Sequence, residues 1–236
     1  MTRRLFALAG LGIMFALLIG GTPAQAAPGD DPAPAPFLLP NDTSGPLMDS
    51  DKVFLEKVRQ AGLWEIPAGQ LAAQKGTNPR TKEVGRLIAA DHATLDDDVR
   101  RVAAKLGVPL PNEMTAQQQL WVDELTRKTG PAFDDAFAQN LRYAHGAVYS
   151  AIAQTRASTR NALMRAFAKQ CEIFVHRHMS LLESTGDVRY DALPPPVVAI
   201  GNLRAAEKKQ PLFLAALLAV AGAIGVASVT RALRAV

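Results

Sequence analysis

Four histidines occur in this 236-residue chain, and two of them, His145 and His178, sit on apolar stripes that repeat at helical spacing. His145 is in line with Phe133, Phe137, Leu141, Val148 and Ile152, and His178 with Leu163, Phe167, Cys171, Phe174 and Leu181. Asp91 belongs to the stripe Val84, Ile88, Leu95, Val99, Val102 and Leu106, with His92 at its edge, and Glu65 is in phase with Phe54, Val58 and Ala61. Imidazole or carboxylate buried without a partner costs several kcal/mol, so these groups must meet each other, a backbone group, water or a metal ion. Two readings fit. Glu65, His92 or Asp91, His145 and His178 together suit one zinc, copper or iron ion. The plainer alternative, which the sequence alone favours, is a polar network that sets helix register without a metal. Asp91 and His92 point about 100° apart on a helix, so one is expected to reach inward and the other to support it or bridge to a neighbouring helix.

A di-iron carboxylate centre is not expected. It needs a Glu from each of two helices and a Glu-x-x-His pair from each of the other two. The residues three before His92, His145, His176 and His178 are Ala89, Arg142, Ile173 and Val175, none of them acidic.

The elements that position these groups are helical throughout. The capping run Asp49-Ser50-Asp51 opens a first helix to about Gln74, which Pro67 is expected to kink or split near Glu65. Asn78 caps a second helix from Pro79 to Gly107. Pro109 and Pro111 break the chain, and Thr115 caps a short helix ending near Lys128. Pro131 opens a fourth helix, and a fifth runs from about Thr159 to Gly186. Short connections between the first and second and between the fourth and fifth force antiparallel hairpins. The fold class is therefore all-α: a four-helix bundle over 51–186, built of two hairpins and a short connecting helix.

Both ends of the chain carry topogenic patterns. Residues 1–26 place Arg3 and Arg4 before an apolar run and close on Ala24-Gln25-Ala26, the layout of a secretory signal peptide, and Thr2-Arg3-Arg4-Leu5-Phe6 also fits a twin-arginine signal. Residues 211–229 carry no charge and rise roughly 28 Å as a helix, enough for a transmembrane span. Arg231 and Arg234 follow, placing the short tail 230–236 in the cytoplasm and the bundle on the extracytoplasmic side of the cell membrane. Proline-rich 27–50 reads as a disordered spacer and 187–210 as a linker to the membrane. The four terminal arginines account for the whole formal charge of +4, so the exported part is neutral. It lacks the basic footprint of a nucleic-acid binder, and the expected partner is the membrane, with any envelope ligand left open.

The remaining chemistry-bearing residues have bland readings. Cys171, the only cysteine, lies in an apolar stripe and reads as a small buried hydrophobe, which excludes a disulfide scaffold. Glu172 and His176, four apart, read as an exposed ion pair, and Asp96-Asp97-Asp98 with Arg100-Arg101 as a solvated charged face. Trp64 and Trp121 read as anchors between helices. There is no nucleophile motif or phosphate-binding glycine loop, and Ser180 lacks the context of a triad.

Several short motifs agree in order and spacing with a known family. They are Asp51-x-x-Phe54-Leu55, Gly62-Leu63-x-Glu65, Gly69-Gln70-Leu71-Ala72, Asp91-His92, Val108-Pro109-Leu110-Pro111, Phe133-Asp134, His145 and His178-Met179. On these the chain resembles, over about 51–182, the bacterial exported family called domain of unknown function 4142. The resemblance implies a ferritin-like helical bundle and an exported location, and no activity. The sequence thus favours a non-catalytic binding or sensing module of the cell envelope, with a metal-binding or redox protein as the alternative.

Overall fold

Five helices follow in chain order: α1 (Asp49–Lys75), α2 (Pro79–Leu106), α3 (Ala116–Arg127), α4 (Pro131–Ser158) and α5 (Ala162–Glu183). They come from a computed structural model, which describes residues 32–194. Their ends are set by local chemistry. Asn78 Oδ1 accepts the Arg80 N–H at the head of α2, with Pro79 in the first turn. Gly107 closes α2 at φ +67°, a left-handed conformation that favours glycine. Thr115 and Gln118 form a reciprocal capping box on α3, and Asn161 caps α5 through the Met164 N–H.

α1 runs unbroken through Pro67, so the expected split does not occur. Proline costs this helix one backbone bond, the one an N–H at 67 would donate to the Leu63 carbonyl, and about 3 kcal/mol of propensity. The helix buries residues on both sides of it, from Phe54 to Ala72, and that packing outweighs the loss.

Residues 76–78 and 159–161 join α1 to α2 and α4 to α5, giving two antiparallel hairpins. α1 packs on α2 and α4, and α5 packs on the same two, so the four long helices close a ring, with α3 laid against α1 and α4. Close approach of α1 and α2 depends on paired glycines. A Cβ on Gly69 would stand 2.5 Å from the Gly85 carbonyl oxygen, and one on Gly85 would stand 2.6 Å from the Ala72 Cβ. Asp134, in the first turn of α4, clamps the α1–α2 turn: its carboxylate accepts the Thr77 N–H at 3.0 Å, the Asn78 N–H at 2.9 Å and the Thr77 hydroxyl. Asp134→Ala would leave those donors without the acceptor, and a loss of about 2 kcal/mol in the urea unfolding free energy is expected.

The core divides into two apolar clusters. One holds Phe54, Val58, Leu95, Val99, Ile152, Phe167 and Phe174, the other Trp64, Ala68, Ile88, Phe137, Leu141 and Leu181. In sequence Glu65, Asp91, His92, His145 and His178 fall where one cluster gives way to the other, so a polar layer crosses the bundle between two apolar halves.

Part of the expected spacer is packed onto the bundle. Residues 32–48 have no regular structure, yet Phe37 is buried with its ring 5.7 Å from that of Phe167. Phe37 N–H donates to Asp98 at 3.0 Å, Arg101 donates to the Phe37 carbonyl at 2.8 Å, and Asn161 holds the carbonyls of Thr43 and Gly45 at 3.0 Å each. The segment is an extended strap, with Phe37 as its anchor. The start of the second expected linker is tied down as well: Asp187 accepts from Thr81, and Arg189 pairs with Asp135. The described residues through Tyr190 form one compact unit. Among the described residues no helix is long and apolar enough to cross a membrane. The expected signal peptide at 1–26 and transmembrane span at 211–229 lie outside the described residues.

Candidate metal centre

Each long helix delivers one donor to the polar layer: Glu65 from α1, His92 from α2, His145 from α4 and His178 from α5, all between 0% and 3% exposed. Glu65 Oε2 lies 3.0 Å from His92 Nε2 and 3.4 Å from His145 Nε2, and His145 Nε2 lies 3.1 Å from His178 Nδ1. One donor nitrogen from each of the three imidazoles falls within 4.8 Å of the others. An ion about 2.0–2.1 Å from tetrahedral donors sets those donors about 3.4 Å apart, close to the three contacts of 3.0, 3.4 and 3.1 Å, while the imidazole trio spans up to 4.8 Å.

The far nitrogens decide the protonation of two rings. His145 Nδ1 is 2.8 Å from the Leu141 carbonyl, which only accepts, so Nδ1 carries the proton. His178 Nε2 is 3.1 Å from Asp91 Oδ2, and the same oxygen takes the Arg177 guanidinium at 2.7 Å. A carboxylate paired with arginine accepts, so His178 carries its proton on Nε2. His145 Nε2 and His178 Nδ1 therefore face each other as two lone pairs. Glu65 Oε2 and both nitrogens of His92 are buried without a hydrogen-bond partner, because the 3.0 Å approach of Glu65 to His92 lacks hydrogen-bond alignment.

Such an arrangement needs a cation, either a proton or a metal. Burial holds His178 well below the ordinary imidazole value, with His92, His145 and Arg177 adding to the effect. Burial likewise lowers His145, more than the Glu65 carboxylate raises it. Burial alone would raise Glu65, but His145 and His92 bring it below the ordinary carboxylate value. Burial thus favours the neutral form of His145 and His178, the form in which an imidazole binds a metal. Imidazoles whose second nitrogen donates to a carboxylate or a backbone carbonyl are the usual ligand arrangement, since that bond sets tautomer and ring orientation.

All five residues expected from sequence converge here. Asp91 and His92 divide the roles as expected, although both are buried: His92 meets Glu65, and Asp91 supports His178 of α5 from behind. α2 packs against both α1 and α5, so residues 100° apart each face a neighbour. Sequence reasoning missed Arg177, next to His178 and buried on Asp91. Its only signal was a basic residue flanking a stripe position. Other readings change. Glu172 pairs with Arg156 instead of His176. Asp96 and Asp98 are buried, on Arg59 and Arg101 respectively, so of the three aspartates only Asp97 is solvated. Cys171 is buried, and burial raises its thiol well above the ordinary value, which leaves it unreactive.

The family model described as Domain of unknown function (DUF4142) matches residues 39–184, more than half of the chain. The chain belongs to this family. No curated protein and no solved structure matches it. The DUF4142 match includes residues 39–48 of the strap, so the domain begins before α1.

The lowered imidazoles predict how this DUF4142 domain responds to acid when a chelator keeps it metal-free. Below the unfolded imidazole value of about 6.5 the unfolded chain binds protons that native His145 and His178 refuse. Stability is therefore full above that pH and falls as the pH drops through the window beneath it. Lowered Glu65 erodes it further below its own ordinary value, while Asp91, raised by burial against the pull of Arg177, opposes. Urea midpoints of chelated protein are expected to decrease steadily from pH 7 to pH 5, and those of a His145→Leu/His178→Leu variant much less.

Proposed function

We propose that the chain is a metal-binding protein of the cell envelope, holding one divalent transition-metal ion on Glu65, His92, His145 and His178. The facing lone pairs of His145 and His178, 3.1 Å apart in a layer where burial disfavours protonation, carry this reading. Three imidazoles and a carboxylate, without thiolate, suit zinc, iron or copper. Four donors supplied entirely by protein are the shell of an ion held in place rather than of one turning over substrate. The proposed role is accordingly binding or sensing, not catalysis.

Envelope placement rests on sequence. The signal-peptide pattern at 1–26 and the uncharged stretch 211–229 before Arg231 and Arg234 support export and a single-pass anchor with the bundle outside.

The test is metal analysis of the full chain, purified without a histidine tag and desalted after incubation with zinc, iron(II) or copper(II). One ion per chain is expected, with loss of that ion in His145→Ala/His178→Ala protein whose circular dichroism is still helical. A folded wild-type chain that retains none of the three ions would overturn the proposal.

A further inference from the structure

α2 and α5 meet along far less of their length than the helices within either hairpin, and the strap occupies the groove between them. The groove holds the strap by its backbone. Gln170 donates to the Ala35 carbonyl at 2.7 Å, Arg101 to that of Phe37 at 2.8 Å, Lys105 to that of Pro40 at 2.7 Å, and Asn161 to those of Thr43 and Gly45 at 3.0 Å each. The Ala162 N–H donates to the Ser44 carbonyl at 2.8 Å, and buried Asp98 accepts the Phe37 N–H at 3.0 Å. Carbonyls are what a segment with Pro34, Pro36 and Pro40 has to offer, because proline has no N–H and an extended chain makes no internal backbone bonds. Of residues 32–48 only Phe37 is buried, and its neighbour Leu38 is 90% exposed. Residues 46–48 alone join this bound stretch to α1.

We propose that the α2–α5 groove is a peptide-recognition surface, and that its occupant in trans is the strap of a second copy of this chain. The proposal does not depend on the metal centre. The groove reads carbonyl positions and one aromatic ring, and the contacts of residues 35–45 are the same whichever copy's α1 follows them. Hydrogen bonds fix the direction and register of the peptide, and the Phe37 ring, 5.7 Å from that of Phe167, supplies the apolar anchor. Exchange therefore breaks and remakes one set of contacts, and only the hinge at 46–48 and local concentration separate the two forms. A short link holds the chain's own strap at an effective concentration on the order of millimolar, so the closed form prevails in dilute protein. Linking is thus set by how densely copies are gathered. A hinge too short to close reverses the balance, since strap and groove then meet only between copies.

The full chain in detergent and a fluorescein-labelled peptide of residues 32–46 test both parts. Phe37→Ser chain, whose own strap lacks its anchor, is expected to bind the peptide saturably and at least about tenfold more tightly than wild type, whose own strap competes. Gly45→Ala chain should behave alike: a Cβ there would stand 2.0 Å from the Arg160 carbonyl oxygen, which forces the strap away while the helices keep their sequence. Peptide carrying Phe37→Ser is expected to bind at least about tenfold more weakly than the unaltered peptide. Deletion of Pro46 shortens the hinge and is expected to give a dimer in sedimentation velocity where wild type is a monomer, and adding Phe37→Ser to the deletion should restore the monomer. Folded Phe37→Ser and Gly45→Ala chains that bind the peptide no better than wild type would overturn the recognition surface. Peptide binding by those two chains, with a Pro46-deleted chain that stays monomeric, would overturn exchange between copies.

Discussion

If the chain holds the proposed ion, a chelator is expected to lower the thermal midpoint of the domain by roughly 10–15 °C. A ligand bound only by the native state stabilises by about 4 kcal/mol at a thousandfold excess over its dissociation constant, and a domain of this size shifts by several degrees per kcal/mol. The polar layer makes the binding native-specific. Its four donors come from four helices and assemble only when both hairpins dock. In a network with no metal the chelator would leave the midpoint unchanged, so one scan with and without it separates the two readings. His145→Leu/His178→Leu protein provides the second arm. Without metal, apolar side chains in place of two facing lone pairs should make it at least as stable as chelated wild type, and it should show no response to chelator. A variant stabilised in the metal-free state and indifferent to metal would mean that this layer gives up stability in exchange for binding.

The placement of the site was legible because helical periodicity is a strong constraint. Once Phe137, Leu141 and Ile152 face the core, His145 must face it too, and the same holds for His178 between Phe174 and Leu181. The short 76–78 and 159–161 connections left little choice but two hairpins. What periodicity cannot supply is the number of neighbours a helix has. α2 touches both α1 and α5, so its buried arc is wide enough for Asp91 and His92 together, and for Asp96 and Asp98, which a narrow stripe would leave in solvent. Composition misled at the strap. Six prolines in 27–50 hide one apolar anchor, Phe37, whose burial depends on Phe167 more than a hundred residues away. Partner choice was likewise out of reach: Glu172 had a neighbour one turn away on its own helix, and it pairs across the hairpin with Arg156.

Asp91 provides the second large effect, and its two substitutions should differ sharply. In Asp91→Asn the side-chain oxygen still accepts from His178 Nε2 and from Arg177, which sit 3.1 and 2.7 Å from Oδ2. Tautomer and ring orientation are retained, and what is lost is the charge that makes His178 a better donor. Metal affinity should fall by about 10–100-fold, the usual cost of altering a group that orients a ligand, with a modest change in metal-free stability. Asp91→Ala removes the acceptor itself. His178 is then free to carry its proton on either nitrogen, and Arg177 loses the carboxylate it faces, so metal-free stability should fall well below that of Asp91→Asn. Isothermal titration with zinc and urea unfolding of the chelated proteins read the two quantities separately. If Asp91 only holds α2 to α5, both substitutions will lower stability and leave zinc affinity untouched. If it positions His178 for a metal, Asp91→Asn will lower affinity far more than stability, because only metal binding requires the Nδ1 lone pair to be presented towards His145.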